Sequence, residues 1–133
     1  MGQMNHQEFA KRFLAAMHAG DRERMGAMMH PDFLIEEAAS LPYAGQYRGL
    51  EGWLALCKAV IATWKSFSLD FIEFAGESDD GLVIRFRLRG VSRKTGRPID
   101  SSVLEFWTFR DGKLVSIAPY YFDTHALVVA NTS

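Results

Sequence analysis

Apolar residues at Phe9, Phe13, Leu14 and Met17 recur at helical spacing, and Asn5 followed by Glu8 has the form of a capping box. Together they predict a first helix from about Asn5 to Ala19, stopped by Gly20. Asp21 then caps a shorter helix carrying Met25, Met28 and Met29, and His30-Pro31-Asp32 reads as the turn that ends it. Phe33, Ile35 and Glu37 alternate with Leu34 and Glu36 as a short strand. The prolines and glycines of SLPYAGQYRG read as a loop without regular structure. After it, Trp53, Cys57, Val60 and Trp64 return to helical spacing in EGWLALCKAVIATW.

From Ser66 onward the period changes to two. Phe67, Leu69 and Phe71 give one strand, and the GESDDG turn leads to a second, in which Leu82, Ile84, Phe86 and Leu88 alternate with Arg85, Arg87 and Arg89. SRKTGRP turns the chain into a strand with Val103, Glu105, Trp107 and Phe109 on one face and Leu104 and Phe106 on the other. Asp111-Gly112 closes the next hairpin, and LVSIAPYYF completes the sheet. Helices first and an antiparallel meander afterwards predict an α+β fold with helices on one sheet face.

Composition narrows the class. The 133 residues, 48% hydrophobic and 23% charged, predict one globular domain over residues 1–133, not a repeat array or a disordered chain. A net charge of -1, from 15 basic and 16 acidic residues, argues against a nucleic-acid reader, which needs a field that displaces counterions from phosphates. Cys57 has no second cysteine to bridge, and Lys58 and Lys65 interrupt the longest apolar stretch well short of the roughly 20 residues that span a bilayer. MGQMNHQEFAKRF lacks the apolar core of a signal peptide, so a cytoplasmic protein with no membrane partner is expected. The aromatic share of 13%, with three Trp and ten Phe, either fills the core or lines an apolar cavity.

Two carboxylates are hard to explain by packing. Glu37 shares a face with Phe33 and Ile35, and Glu105 shares one with Val103, Trp107 and Phe109. A carboxylate held among rings keeps its proton towards neutral pH, which suits proton abstraction or hydrogen-bond donation to a developing oxyanion. The alternative is that each is a strand-end acid paired with an arginine such as Arg85 or Arg87. The row Arg85, Arg87 and Arg89 needs acids opposite, which Asp70, Asp100 or a second subunit could provide. Tyr121 shares parity with Ile117 and Asp123, so a phenol and a carboxylate could meet a ligand at one rim. His18, His30 and His125 lack metal-ligand spacing, no nucleotide or nucleophile-elbow motif is present, and neither a metal nor a cofactor is expected. Cys57 reads as a buried thiol.

The order of elements, together with FAKRFLAAMHAGD, HPDFLIEEA, LPYAGQYRGLEGW, SSVLEFWTFRDGKLV and YYFDTHAL, resembles the cone-shaped domain of the nuclear transport factor 2-like superfamily. That group includes ketosteroid isomerases, SnoaL-like polyketide cyclases and limonene epoxide hydrolases. The resemblance covers nearly the whole chain and implies a curved, mostly antiparallel sheet and three helices of the N-terminal half enclosing an apolar pocket. By resemblance to ketosteroid isomerase, the catalytic Asp base falls on Glu37 and the protonated Asp of the oxyanion hole falls on Glu105. The oxyanion Tyr falls on Phe13, which has no hydroxyl, and both acids are one methylene longer than their counterparts. SnoaL-like cyclases use a single acid as base. The hydrolase Asp-Arg-Asp arrangement is not evident.

The resemblance also implies that Phe13, Met17, Ile35, Glu37, Trp53, Phe86, Glu105, Trp107, Ile117 and Tyr121 line the cavity, and that the outer sheet face forms a homodimer. The expected function is a cofactor-free isomerase- or cyclase-type enzyme acting on a small apolar carbonyl compound. Glu37 would be the base and Glu105 the acid or oxyanion donor, with Tyr121 and Asp123 orienting the substrate. The competing expectation is a non-catalytic ligand-binding or dimeric interaction module, favoured by the missing oxyanion Tyr.

Overall fold

The computed structural model describes residues 5–133, so the first residues read for a targeting signal lie outside it. The first helix, α1 (His6–Ala19), begins where Asn5 accepts the Glu8 N–H at 2.8 Å and ends at Gly20, whose φ of 68° is open to a glycine without strain. Its buried stripe of Phe9, Ala10, Phe13 and Ala16 packs on the sheet, each large side chain contributing roughly 1.5–3 kcal/mol. The second helix, α2 (Arg22–Met28), is capped by the Asp21 carboxylate, and the third, α3 (Gly49–Thr63), runs directly into a strand at Trp64.

Six strands follow in the spatial order β2-β1-β6-β5-β4-β3, where β1 is Met29–Glu37, β2 Gly45–Arg48, β3 Trp64–Glu77, β4 Gly81–Ser92, β5 Pro98–Arg110 and β6 Lys113–Tyr121. The expected meander is present as β3 to β6, all antiparallel; β1 joins it parallel to β6, so the sheet is mixed. Register shifts within β3 and within β1 mark irregularities of the kind that sharpen twist. The sheet curls without closing, leaving β2 and β3 as edges.

Three local expectations are corrected. His30-Pro31-Asp32 does not end an element: it lies within β1, where Pro31 falls in the irregular stretch between Met29 and Leu34, a place that tolerates a missing N–H. Within SLPYAGQYRG, the residues Gly45–Arg48 pair antiparallel with Leu34–Glu37, because an open edge of β1 supplies the hydrogen bonds that local composition cannot. The segment after Tyr121 does not extend the last strand. It turns into a fourth helix, α4 (Thr124–Ala130), with Asp123 as its N-cap at 3.0 Å from the Ala126 N–H and with Leu127 and Ala130 buried. The arginine row finds its acids within the chain. Asp100 receives Arg87 at 2.9 and 2.7 Å, and Glu73 receives Arg85 at 2.8 Å.

Candidate functional site

The register places the two acids in relation to each other. Glu105 lies opposite Pro119, and Ile35 lies opposite Ile117 in the parallel pair; continuing that register by two residues brings Glu37 beside Pro119 on its other side. The acids therefore occupy one row of the inner face, on strands either side of β6, with backbones roughly 10 Å apart at the usual strand spacing. The Glu37 charge is felt at Glu105, where it contributes to raising the pKa.

Glu37 is 8% exposed at the end of β1. Its Oε1 accepts the Tyr121 hydroxyl at 2.6 Å, a contact across β1 and β6 that no sequence spacing displays. Burial raises the Glu37 pKa, and the phenol lowers it in part by donating to the charged form. Tyr121 is correspondingly pushed well up, first by burial and then by the adjacent carboxylate. Glu105, one pleat from buried Trp107, accepts the indole N–H at 3.0 Å. The residue keeps some contact with solvent, but its carboxyl is desolvated, and its pKa is pushed up to about 7.

Beside Glu37 and Tyr121, past the last β1–β6 pair, an open cleft of about 620 Å³ is lined also by Glu36, Ala38, Ala39, Ala44, Gly45, Ala118, Pro119, Tyr120 and Thr124, and Glu105 does not line it. That size lies within the range that holds a small organic molecule. A groove of about 400 Å³ over Arg89, Gly90 and Asp100 has a different character, because Asp100 is held below the usual carboxylate range by Arg87 and offers no proton near neutral pH.

The structure thus brings Glu37, Tyr121, Glu105 and Trp107 to one end of the inner face. Phe13, Ile35, Phe86 and Ile117 are buried in the adjoining core, and Phe13 meets Trp53 and Trp107 edge-on at 5.7 and 5.6 Å. Met17 and Trp53 pack against that core from its margin. Asp123 is the cap of α4, its carboxylate accepting the Ala126 N–H. A residue that parity could not supply is Tyr43: it lies in the loop after β1 and is buried, and its Oη accepts the Trp64 indole N–H at 3.0 Å. Among the described residues, no group of three or more His, Cys, Asp or Glu is placed to hold a metal ion. No described helix is long and apolar enough to cross a membrane.

A six-stranded mixed sheet that curls without closing, with helices packed on it, is the architecture of the nuclear transport factor 2-like fold. The model of the SnoaL-like domain family matches residues 10–117, and the chain belongs to that family. Among solved structures it is similar to an NTF2-like protein from Burkholderia xenovorans LB400, at 25% identity over 99% of both chains with a TM-score of 0.84. It also resembles an NTF2-like protein of unknown function from Burkholderia pseudomallei K96243, at 22% identity over 98% of this chain and 99% of that one with a TM-score of 0.83. TerC, co-crystallised with polyporic acid, aligns at 22% identity over 91% of this chain and 98% of that one with a TM-score of 0.71. No curated protein matches the sequence.

Proposed function

We propose that the protein is a cofactor-free isomerase- or cyclase-type enzyme that moves a proton on a small apolar carbonyl compound. The observation that carries this reading is the pair of desolvated acids on one inner face, held in different ways: Glu37 by a phenol donor and Glu105 by an indole donor. Each hydrogen bond occupies Oε1, so Oε2 of each acid is the atom left for chemistry. Glu37 Oε2 takes the proton from the carbon next to the carbonyl, the electron pair moves to the carbonyl oxygen, and protonated Glu105 donates a hydrogen bond to that oxygen. Glu37 then returns the proton at the same or a conjugated carbon, so nothing is oxidised or consumed.

The position of Phe13 supports a second reading, a ligand-binding module, since a buried ring there gives no hydrogen bond to a developing oxyanion. TerC, co-crystallised with polyporic acid, lends the fold a precedent for an organic acid as ligand. A homodimer through the outer sheet face belongs to the same proposal. The arginines are satisfied within the chain and give no reason for a partner, but Leu104, Phe106 and Tyr120 stand exposed on that face. One domain, working in the cytoplasm, completes the proposal.

The test is native mass spectrometry for a co-purified ligand, followed by turnover of that ligand or of a ketone panel by the wild type and Glu37→Gln. The enzyme reading requires turnover that Glu37→Gln abolishes without unfolding. A bound ligand that neither protein converts establishes the binding module instead.

A further inference from the structure

The hydrogen-bond donors near the two acids are nearly all committed. Tyr121 gives its proton to Glu37 and Trp107 gives its N–H to Glu105, while Phe13 has none to give. Tyr43 differs. It is 3% exposed, just beyond Glu37 in the loop that leads to β2, with its ring folded inward. Three contacts fix it there. Trp64, itself 1% exposed at the junction of α3 and β3, donates its indole N–H to Tyr43 Oη at 3.0 Å. The Tyr47 hydroxyl donates to the Tyr43 carbonyl at 3.0 Å, and the Ala44 N–H closes a turn onto the Leu41 carbonyl at 3.1 Å.

An indole nitrogen only donates, so Trp64 occupies a lone pair of the phenol oxygen and leaves its proton to be given elsewhere. Among the described residues that proton has no acceptor within hydrogen-bond reach. A buried hydroxyl proton without a partner is costly and uncommon. The charge of Glu37 raises the pKa of Tyr43, and Tyr43 in turn acts on Tyr121, so the three groups share one electrostatic neighbourhood. Ala44, the next residue, lines the cleft that also holds Glu37 and Tyr121.

We infer that Tyr43, oriented by Trp64, is the neutral hydroxyl that donates a hydrogen bond to the oxygen of the bound ligand, a role that Phe13 cannot fill. The inference rests on the reading that this site takes an apolar, oxygen-bearing molecule. It also narrows the ligand class to compounds that carry a carbonyl or phenolate oxygen able to accept from Tyr43 close to Glu37. Burial favours the neutral phenol, which therefore keeps its proton to donate at every pH at which the acids work.

The probe is 4-nitrophenol, whose phenolate oxygen imitates an enolate and whose absorbance reports its ionisation. Titrations at neutral pH should show saturable binding to the wild type. Tyr43→Phe should weaken it at least tenfold, about the worth of one hydrogen bond to an anion. Trp64→Phe, which removes the orienting donor together with part of a buried ring, should lose less probe affinity than Tyr43→Phe does. If Tyr43→Phe fails to fold, 3-fluorotyrosine at position 43 replaces it; that residue keeps the ring and sharpens the donor, and should tighten binding. No saturable binding by the wild type, or an affinity unmoved by either change at position 43, overturns the inference. Glu37→Gln separates it from the enzyme reading. Loss of turnover in that variant with unaltered probe affinity in Tyr43→Phe leaves the base in place and removes Tyr43. Loss of probe affinity in Tyr43→Phe with turnover intact in Glu37→Gln does the reverse.

Discussion

Glu105→Gln tests the desolvation of the inner face in quantitative form. In the folded protein the Glu105 carboxyl titrates near pH 7, against 4.5 for the free side chain, with burial as the main cause and the Glu37 charge adding to it. Below pH 4.5 both states hold the proton and the group is neutral to stability. Between the two values the folded state holds a proton that the unfolded chain has released, so stability falls as pH rises. The separation corresponds to about 3 kcal/mol in all, most of it expended between pH 5 and pH 8. Gln keeps an acceptor for the Trp107 indole but cannot ionise. Urea denaturation of both proteins at pH 5 and pH 8 should therefore show Glu105→Gln gaining roughly 2–3 kcal/mol on the wild type over that interval. A difference that stays constant with pH would refute the desolvation of this carboxyl.

The remaining expectations concern neighbouring groups. Tyr121→Phe removes the 2.6 Å donor that partly offsets the burial of Glu37, so the pKa of Glu37, followed by carboxyl-carbon NMR, should rise further; a fall would show that the phenol does not favour the charged form. Asp123→Ala should cost about 1 kcal/mol in denaturation through the lost cap of α4 while ligand affinity holds, and a selective loss of affinity would support the substrate-orienting role of Asp123 instead. Gly52→Ala, which in an open helix would add about 1 kcal/mol of stability, should destabilise here, because a Cβ would lie 2.6 Å from the Tyr47 backbone carbonyl carbon; a higher melting temperature would contradict that packing. Arg87→Met should leave turnover unchanged, since its exposed pair with Asp100 lies on the other face of the sheet from Glu37 and Glu105.

The elements with one strong period were legible in the sequence. The helix α1 and the strands β4 and β5 carry unbroken stripes, and the same alternation puts Glu105 beside Trp107 and the arginines opposite them. Elements that depend on a partner were not. Gly45–Arg48 is a strand only because β1 presents an edge to it, and α4 is a helix only because Asp123 caps it and Leu127 finds a core. The site divides in the same way. Glu37 could be seen as an acid on an apolar face, but its hydrogen bond to Tyr121 joins distant strands through a parallel pairing that local spacing does not encode. Tyr43 left no periodic trace, since its burial comes from a loop folded onto Trp64. Its one signal was an aromatic residue close to Leu41 in a loop otherwise of small residues and proline.

Glu37 as a base is tested most directly by deuterium exchange into ketones that bind the protein. Proton NMR would follow the carbon next to the carbonyl in heavy water, with wild type and Glu37→Gln compared at saturating ligand. The wild type should accelerate exchange well above the solvent rate, and Glu37→Gln should fall back to that rate while still binding. Equal exchange by the two proteins would contradict the assignment of Glu37 as the base.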